Sequence, residues 1–218
     1  MTISNQLFFS SWSGGKDSTL ALYHALRNGG KPRFLFTMFE EDGDRSRSHG
    51  LPKHLLEKQA ESLNIPLVTR SASWADYENV FVDQLRRFKE QGVQVGVFGD
   101  IDLEGHIIWQ EKVCAAAGLA AYIPLWKRPR RELAHEFVSL GFKAVIVAVN
   151  RQMIDDRYLG RPYNAETLVD MERDGIDPTG ESGEFHTFVN DGPIFRKPID
   201  ARIEKVVSDE NYSFVDWS

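Results

Sequence analysis

The sequence has little cysteine, no long apolar run and no excess of basic charge. Cys114 is its only cysteine, which excludes an internal disulfide and any zinc site built from paired cysteines. No stretch approaches the roughly 18 consecutive apolar residues of a membrane-spanning helix. The segment "MTISNQLFF" lacks the basic start and the cleavage site of a signal peptide. We therefore expect a cytoplasmic protein that does not enter a membrane.

The charge balance argues against a nucleic-acid partner. Lysine and arginine number 26 against 32 aspartate and glutamate, a net charge of -6, whereas nucleic-acid binders usually present a basic face. The run "KRPRR" (127–131) is a local positive patch, for which a solvated linker and helix entry is favoured over an anionic substrate or tRNA.

Strand-like and helix-like stretches alternate through the first half of the chain. Short apolar runs, such as "RFLFTMF" at 33–39, predict buried strands, and the intervening segments have helical spacing. The predicted strands are 6–12, 33–39, 66–69 and 93–98, and the predicted helices run from about 20 to 28, 52 to 63, 76 to 91 and 104 to 117. This alternation predicts an α/β fold with a doubly wound parallel sheet.

The second half of the chain has a different pattern. Two helices and a strand come first, and a group of short strands follows, which predicts a smaller α+β unit. The predicted helices lie near 131–140 and 164–174, and the predicted strands at 143–149, 184–189, 193–196, 200–207 and 212–217. We expect a nucleotide-binding domain at 1–126 and a substrate-recognition domain at 127–218. Ligands of open α/β sheets bind beyond the carboxyl ends of the strands, so the second domain would supply the substrate half of a site at that edge.

A glycine loop, "SGGKDS" at 13–18, follows the first predicted strand and precedes the first helix. It is not a Walker A loop, because Ser10 stands where the first glycine is needed and Asp17 follows the lysine. It is not a dinucleotide fingerprint either, because Gly14 and Gly15 are adjacent and no third glycine follows in register. A plain glycine-rich turn with Ser18 as helix N-cap is the structural alternative.

The loop carries the groups that bind a phosphate. Glycines let the backbone approach an anion, and a helix start offers N–H groups that lack helical partners. The serines add hydroxyl donors and the lysine adds a positive charge, while the aspartate would order the loop or hold Mg²⁺. We therefore predict ATP-binding residues at Ser13, Gly14, Gly15, Lys16, Asp17 and Ser18.

The loop resembles the PP-loop of the ATP pyrophosphatase superfamily, whose motif is SGGxDS. Further stretches resemble the diphthine–ammonia ligase family, namely "FGDID" (98–102), "EKVC" (111–114), "GESGEFHTFV" (180–189) and "DGPIF" (191–195). This resemblance implies a Rossmann-like domain of the adenine nucleotide alpha hydrolase type, followed by a smaller domain. It also implies ATP and Mg²⁺ as cofactors and pyrophosphate as the leaving group. The ligases of that family use ATP and ammonium to amidate diphthine, a modified histidine of elongation factor 2.

The resemblance also suggests nucleotide contacts outside the loop. Met38 would cradle adenine, with a core methionine as the equal alternative, and His49 would cap the nucleotide pocket, with a solvated loop histidine as the alternative. Gly99 would permit close approach of the ligand, and Asp100 would bind Mg²⁺, as Asp17 would. A simple turn is the alternative for both Gly99 and Asp100.

The second predicted domain carries the candidate substrate residues. The family pattern Glu-Gly-Gly-Glu/Asp-x-Glu is changed here to Ser at 182 and His at 186, and "DLEGHIIWQ" (102–110) replaces Ser-Asp-Tyr-Gln-Arg. Both changes fall where the acceptor, not ATP, is expected. The predicted substrate-binding residues are Glu181, Glu184, His186 and Thr187, and the predicted catalytic residues are Lys16, Asp17, Glu184 and His186.

These features lead to one hypothesis with two alternatives. The leading hypothesis is an AMP-forming carbon–nitrogen ligase that adenylylates a small-molecule or protein-borne carboxylate, or a carbonyl, and then joins it to ammonia or another amine. The alternatives are a nucleotide-binding sensor without turnover and a PP-loop enzyme that modifies tRNA. The sequence leaves the oligomeric state open, a homodimer included.

Overall fold

The computed structural model describes residues 2–43, 45–47 and 49–217. Asp44 and Ser48, two positions of the predicted polar loop at 40–50, lie outside the described residues. The chain forms two compact units. The first runs to Ser13 and continues as Asp17–Lys127, and the second comprises Gly14–Lys16 and the chain from Arg128 onwards. Within the described ranges, no helix is long and apolar enough to cross a membrane.

The first unit is a parallel sheet covered by helices on both faces, as predicted. Its strand order is β3-β2-β1-β4-β5, and every neighbouring pair is parallel. Along the chain the unit contains β1 (Leu7–Ser11), α1 (Lys16–Arg27), β2 (Lys31–Phe39), α2 (Lys53–Leu63), β3 (Leu67–Ser71), α3 (Tyr77–Glu90), β4 (Val95–Val97), α4 (Glu104–Ala116) and β5 (Ala120–Tyr122). The chain winds outward from β1 to β3, then returns to β4, so the topological switch point lies between β1 and β4.

An aromatic core fixes α3 and α4 on one face of this sheet. Phe9 of β1 lies 6.1 Å from Phe36 and 6.5 Å from Phe81, centroid to centroid, in edge-to-face geometry. Phe88 of α3 packs 5.3 Å from Phe9. Buried aromatic pairs of this geometry add stabilisation beyond that of their buried area, so they strengthen the packing of α3 on β1 and β2.

Two short segments differ from the sequence-based prediction. The strand β5 was not predicted, and its three residues pair with β4 through Val95 and Ala120. The predicted strand at 193–196 is instead a turn, in which Phe195 N donates to Gly192 O at 3.0 Å. Pro193 has no N–H to give to a ladder, so the apolar pattern there was misleading.

The second unit is the smaller α+β unit that the pattern predicted. It contains α5 (Arg130–Ser139), β6 (Lys143–Asn150), a 3-10 turn (Asp156–Tyr158), α6 (Ala165–Arg173), β7 (Phe185–Asp191), β8 (Ile203–Ser208) and β9 (Tyr212–Trp217). Its sheet is antiparallel with the order β7-β6-β9-β8. The Phe137 and Phe142 rings stack at 5.0 Å in its core, next to the buried Tyr163.

Candidate functional site

The glycine loop has the strand–loop–helix setting that the sequence predicts. The strand β1 ends at Ser11 and α1 begins at Lys16. Gly14 has a φ of 80°, a left-handed conformation that side-chain-bearing residues adopt at a cost. The hydroxyls of Ser13 and Ser18 lie 3.1 Å apart and hydrogen bond across the loop. The loop therefore brings two hydroxyl groups together at the start of a helix, where the dipole favours an anion.

Gly99 packs directly against the start of α1. A methyl group at this position would lie 2.7 Å from the carbonyl carbon of Asp17 and 2.8 Å from the Ser18 nitrogen. Only glycine permits this approach. The end of β4 thus meets the glycine loop at the switch point, where open α/β sheets bind their ligands. Asp17 itself is half-buried and lies in the first turn of α1, where a carboxylate is favourable.

The tip of the loop, Gly14–Lys16, belongs to the second unit and contacts β7. Val189 N donates to Gly14 O at 3.0 Å, and Lys16 N donates to Thr187 Oγ1 at 3.1 Å. The sequence predicts open N–H groups at the start of this helix. That expectation is wrong for Lys16, because the Thr187 hydroxyl, 171 residues away in sequence, accepts its N–H. Thr187 therefore satisfies the backbone N–H of Lys16 within the second unit.

The side chain of Lys16 lies against β7. Only 5% of its surface is exposed, and its Nζ lies 5.4 Å from the centroid of the Phe185 ring. Protein surrounds the neighbouring His186 on most sides, although part of its surface stays accessible. This burial, together with the positive charge of Lys16, lowers the pKa of His186 from 6.5 to about 4. His186 is thus a neutral imidazole at physiological pH.

The segment before β7 is a turn that fixes Glu184. Only 7% of Glu184 is exposed, and its Oε2 accepts a hydrogen bond from Ser182 N at 3.0 Å. Arg130 Nη1 donates to the Ser182 hydroxyl at 3.3 Å. Gly183 allows the reversal with a φ of 91°, and Glu181 is half-buried in the same turn. The hydrogen bond to Glu184 comes from the backbone N–H of Ser182, which a glycine would also offer, and the Ser182 hydroxyl adds the contact with Arg130.

The two nucleotide contacts expected at the end of β2 and in the loop that follows it differ in exposure. Met38 lies in the core cluster of the first unit and is 6% exposed. Its carbonyl oxygen accepts a hydrogen bond from Arg47 N at 3.1 Å. The structure thus gives Met38 the surroundings of a core residue. His49 is half-buried in the loop that follows β2, and its predicted contact with a nucleotide stays a prediction.

Asp100 is oriented by α4. Its Oδ1 hydrogen bonds with His106 Nδ1 at 2.8 Å, and its Oδ2 accepts from Gln110 Nε2. Both carboxylate oxygens therefore already have a partner. In the part of the chain that the structure describes, no three or more histidine, cysteine, aspartate or glutamate side chains form a cluster suited to a metal. Mg²⁺ binding by Asp17 or Asp100 stays a prediction.

Sequence reasoning missed several polar and aromatic residues around these strand ends. His106 and Gln110 are four residues apart on α4, and this spacing would have placed both on one face of the helix. Arg47 and Trp74 meet although they lie in different loops, and no local pattern could have paired them.

Known protein families and relatives match this chain along nearly its whole length. Residues 8–121 match the diphthamide synthase N-terminal domain, and residues 129–217 match the diphthamide synthase C-terminal domain. The chain is 27% identical to diphthine–ammonia ligase of Mus musculus over 220 residues, which covers 86% of this chain and 79% of the relative. It is 26% identical to the Homo sapiens enzyme of the same name, covering 89% of this chain and 82% of that one.

A solved structure from Methanocaldococcus jannaschii, described as a predicted subunit of tRNA methyltransferase, is also similar. It shares 16% identity and a TM-score of 0.48, covering 89% of this chain and 100% of that one. This similarity is too low to support an argument about function.

Proposed function

Because the chain belongs to the diphthamide synthase family, we propose that it is an ATP-dependent carbon–nitrogen ligase that forms AMP and pyrophosphate. The observation that carries this proposal is the phosphate loop at the switch point. It combines the left-handed Gly14, the paired hydroxyls of Ser13 and Ser18, and the close approach of Gly99. These features suit an anion at the start of α1.

The loop would hold the two outer phosphates of ATP. Ser13 and Ser18 would donate their hydroxyls, and Lys16 would add positive charge. Asp17 is the carboxylate that fits Mg²⁺, which proteins often hold through one or two carboxylates together with substrate phosphates. The cation would neutralise charge on the departing pyrophosphate. We leave Asp100 out of this set, because both of its carboxylate oxygens are hydrogen bonded to α4.

The reaction would take place in two steps. A carboxylate oxygen of the acceptor attacks the α-phosphorus, and the bond to pyrophosphate breaks, which leaves an acyl-adenylate. The lone pair of ammonia or another amine then forms the C–N bond, AMP leaves with the electrons of the C–O bond, and a proton is released from nitrogen. Positioning and charge neutralisation would supply most of the rate enhancement.

The residues of the second unit would recognise the acceptor. His186 would act through hydrogen bonding and not as a cation, since its pKa is lowered to about 4. Glu184 is buried and fixed by Ser182 N, so it would supply a rigid carboxylate, with Glu181 and Thr187 beside it in sequence. The relatives are named for diphthine and ammonia, which makes diphthine the first acceptor to test. The changes at 182 and 186 favour a relative with another carboxylate acceptor.

The products of ATP test the proposal. The purified protein is incubated with ATP, Mg²⁺, ammonium and either diphthine-bearing elongation factor 2 or a panel of carboxylic acids, and nucleotides are separated by chromatography. We expect AMP and pyrophosphate in equal amounts with one of these acceptors, and much less with Ser18→Ala. Ser139→Ala in α5 is the control, because its hydroxyl only donates to Glu136 O of its own helix. ADP as product would contradict cleavage between the α- and β-phosphates. ATP that binds but stays intact would favour a sensor.

A further inference from the structure

An exposed tryptophan stands out beside the strand ends of the first unit. Trp74 is 78% exposed, the largest value among the exposed apolar side chains of the described residues. The guanidinium carbon of Arg47 lies 4.3 Å from the centroid of its ring. Arg47 therefore covers the indole on one side, while most of the ring surface remains open to solvent. We refer to these two residues as the Arg47–Trp74 stack.

Arg47 is held in place by backbone carbonyl groups, and no carboxylate among the residues that the structure describes forms an ion pair with it. Its backbone N donates to Met38 O at 3.1 Å, and its Nη2 donates to Ala72 O. Its Nε is buried and has no hydrogen-bond partner among the residues that the structure describes. Its other contacts are aromatic, with Trp74 and with Tyr77 at 5.8 Å. Since Nε is buried and Nη2 already donates to Ala72 O, the Nη1 side of this guanidinium is the part that would meet an anion such as a phosphoryl oxygen.

The stack lies at the carboxyl edge of the parallel sheet. Arg47 follows β2 and Trp74 follows β3, at the edge where ligands of such sheets bind. Tyr77 contacts the stack, since its ring centroid lies 5.8 Å from the guanidinium carbon of Arg47. Burial raises the pKa of Tyr77, the charge of Arg47 lowers it and that of Asp100 raises it. Tyr77 therefore lies near both charged groups. Asp100 directly follows Gly99, which packs against the phosphate loop.

The chemistry of the stack matches a nucleotide better than a simple anion. An arginine that pairs with no carboxylate within the described ranges suits a phosphoryl group, and an open indole face suits a planar base, for which aromatic stacking is a general mode of binding. The alternative adenine contact, Met38, has its side chain in the core and its carbonyl oxygen bonded to Arg47. We propose that the Arg47–Trp74 stack binds the adenylate part of ATP, the base against Trp74 and a phosphoryl oxygen on Arg47. This subsite deepens the proposed function and rests on it for the identity of the nucleotide.

Calorimetric titrations with AMP, adenosine and inorganic pyrophosphate separate this subsite from the phosphate loop. We expect Arg47→Gln to weaken AMP binding about 10-fold or more, because a charged hydrogen bond is lost, and to leave adenosine nearly unchanged. Trp74→Ala should weaken both AMP and adenosine about 5-fold or more through lost stacking. Neither variant should change pyrophosphate binding. Arg45→Gln is the matched control, because Arg45 lies in the same loop and its Nη1 donates to Gly50 O.

The outcomes are distinguishable from failure of the proposed function. Wild-type protein that fails to bind AMP at millimolar concentration overturns the subsite, as do Arg47 and Trp74 variants that bind AMP like Arg45→Gln. If the wild-type protein does not bind pyrophosphate but its AMP affinity still depends on Arg47, the role of the phosphate loop is contradicted and the subsite is supported. Thermal unfolding of each variant, together with Arg47→Lys, controls for misfolding. The lysine keeps the charge without the planar fork, so it should recover only part of the AMP affinity.

Discussion

Replacing Gly99 by alanine would place a methyl group against the backbone at the start of α1. The added carbon would lie 2.7 Å from Asp17 C and 2.8 Å from both Asp17 O and Ser18 N. These three atoms belong to the main chain, so they cannot rotate aside as the end of a side chain would. Either the end of β4 or the first turn of α1 must move, and overpacking of this kind typically costs about 1–3 kcal/mol.

We expect Gly99→Ala to lower the free energy of unfolding of the first unit by about 1–3 kcal/mol and to weaken ATP binding, because the contact lies on the loop that we propose as the phosphate site. Urea denaturation and calorimetric ATP titration measure the two effects. Gly105→Ala is the matched control, since a methyl group there meets nothing within 4 Å and the residue lies in the first turn of α4. Alanine has the higher helix propensity, so this variant should be unchanged or up to about 1 kcal/mol more stable.

The result that would refute this reasoning is a Gly99→Ala protein with the stability of the wild type, within about 0.5 kcal/mol, and with unchanged ATP affinity. That outcome would mean that β4 and the loop have room between them. The inferred position of the phosphate site at the switch point would then lose its strongest geometric support.

Three further predictions concern buried polar contacts. The pKa of His186 falls from 6.5 in the unfolded chain to about 4 in the folded protein, so the unfolded state binds the proton more tightly between these values. The stabilising contribution should therefore be complete above pH 6.5, and the free energy of unfolding should fall by up to about 3 kcal/mol towards pH 4. His186→Asn should flatten this slope in pH-dependent urea denaturation, and an unchanged slope would assign it to other groups. Trp12→Phe removes a buried hydrogen bond of 2.9 Å from Trp12 Nε1 to Gln59 Oε1 and should lower the free energy of unfolding by about 1–3 kcal/mol. Urea denaturation measures this change, and a value near zero would show that the bond contributes little. Thr187→Val removes the acceptor of Lys16 N and should lower the free energy of unfolding by about 1 kcal/mol, as measured by thermal unfolding. Thr187→Ser keeps the hydroxyl, so its stability should stay near that of the wild type. Equal losses of stability in both variants would point to the lost methyl packing instead.

The fold of the first unit was predictable because its pattern is local. The apolar runs of β1 and β2, and the amphipathic helices between the strands, give each segment one preferred structure. Short elements with weak patterns were not predictable. The strand β5 has only three residues and depends on β4 for its hydrogen bonds, while the apolar segment at 193–196 becomes a turn because Gly192 and Pro193 favour one.

The candidate site was predictable only in part. The residues of the glycine loop are contiguous, so their motif is visible in the sequence and their backbone follows from two glycines before a helix. The surroundings of Met38 were not visible, because burial depends on the helices that pack over β2. The partners of Asp100 were missed for a similar reason, since His106 and Gln110 reach it only once α4 is packed beside the strand end.

The sequence by itself determined the local conformations of this protein: an alternating α/β half, a glycine loop between β1 and α1, and an α+β unit after it. Only the tertiary structure decided which groups meet, such as Thr187 with the N–H of Lys16 and Arg47 with Trp74. The physical reason is that backbone preferences depend on neighbouring residues, whereas hydrogen bonds and ring contacts between distant segments depend on the packing of every element that lies between them.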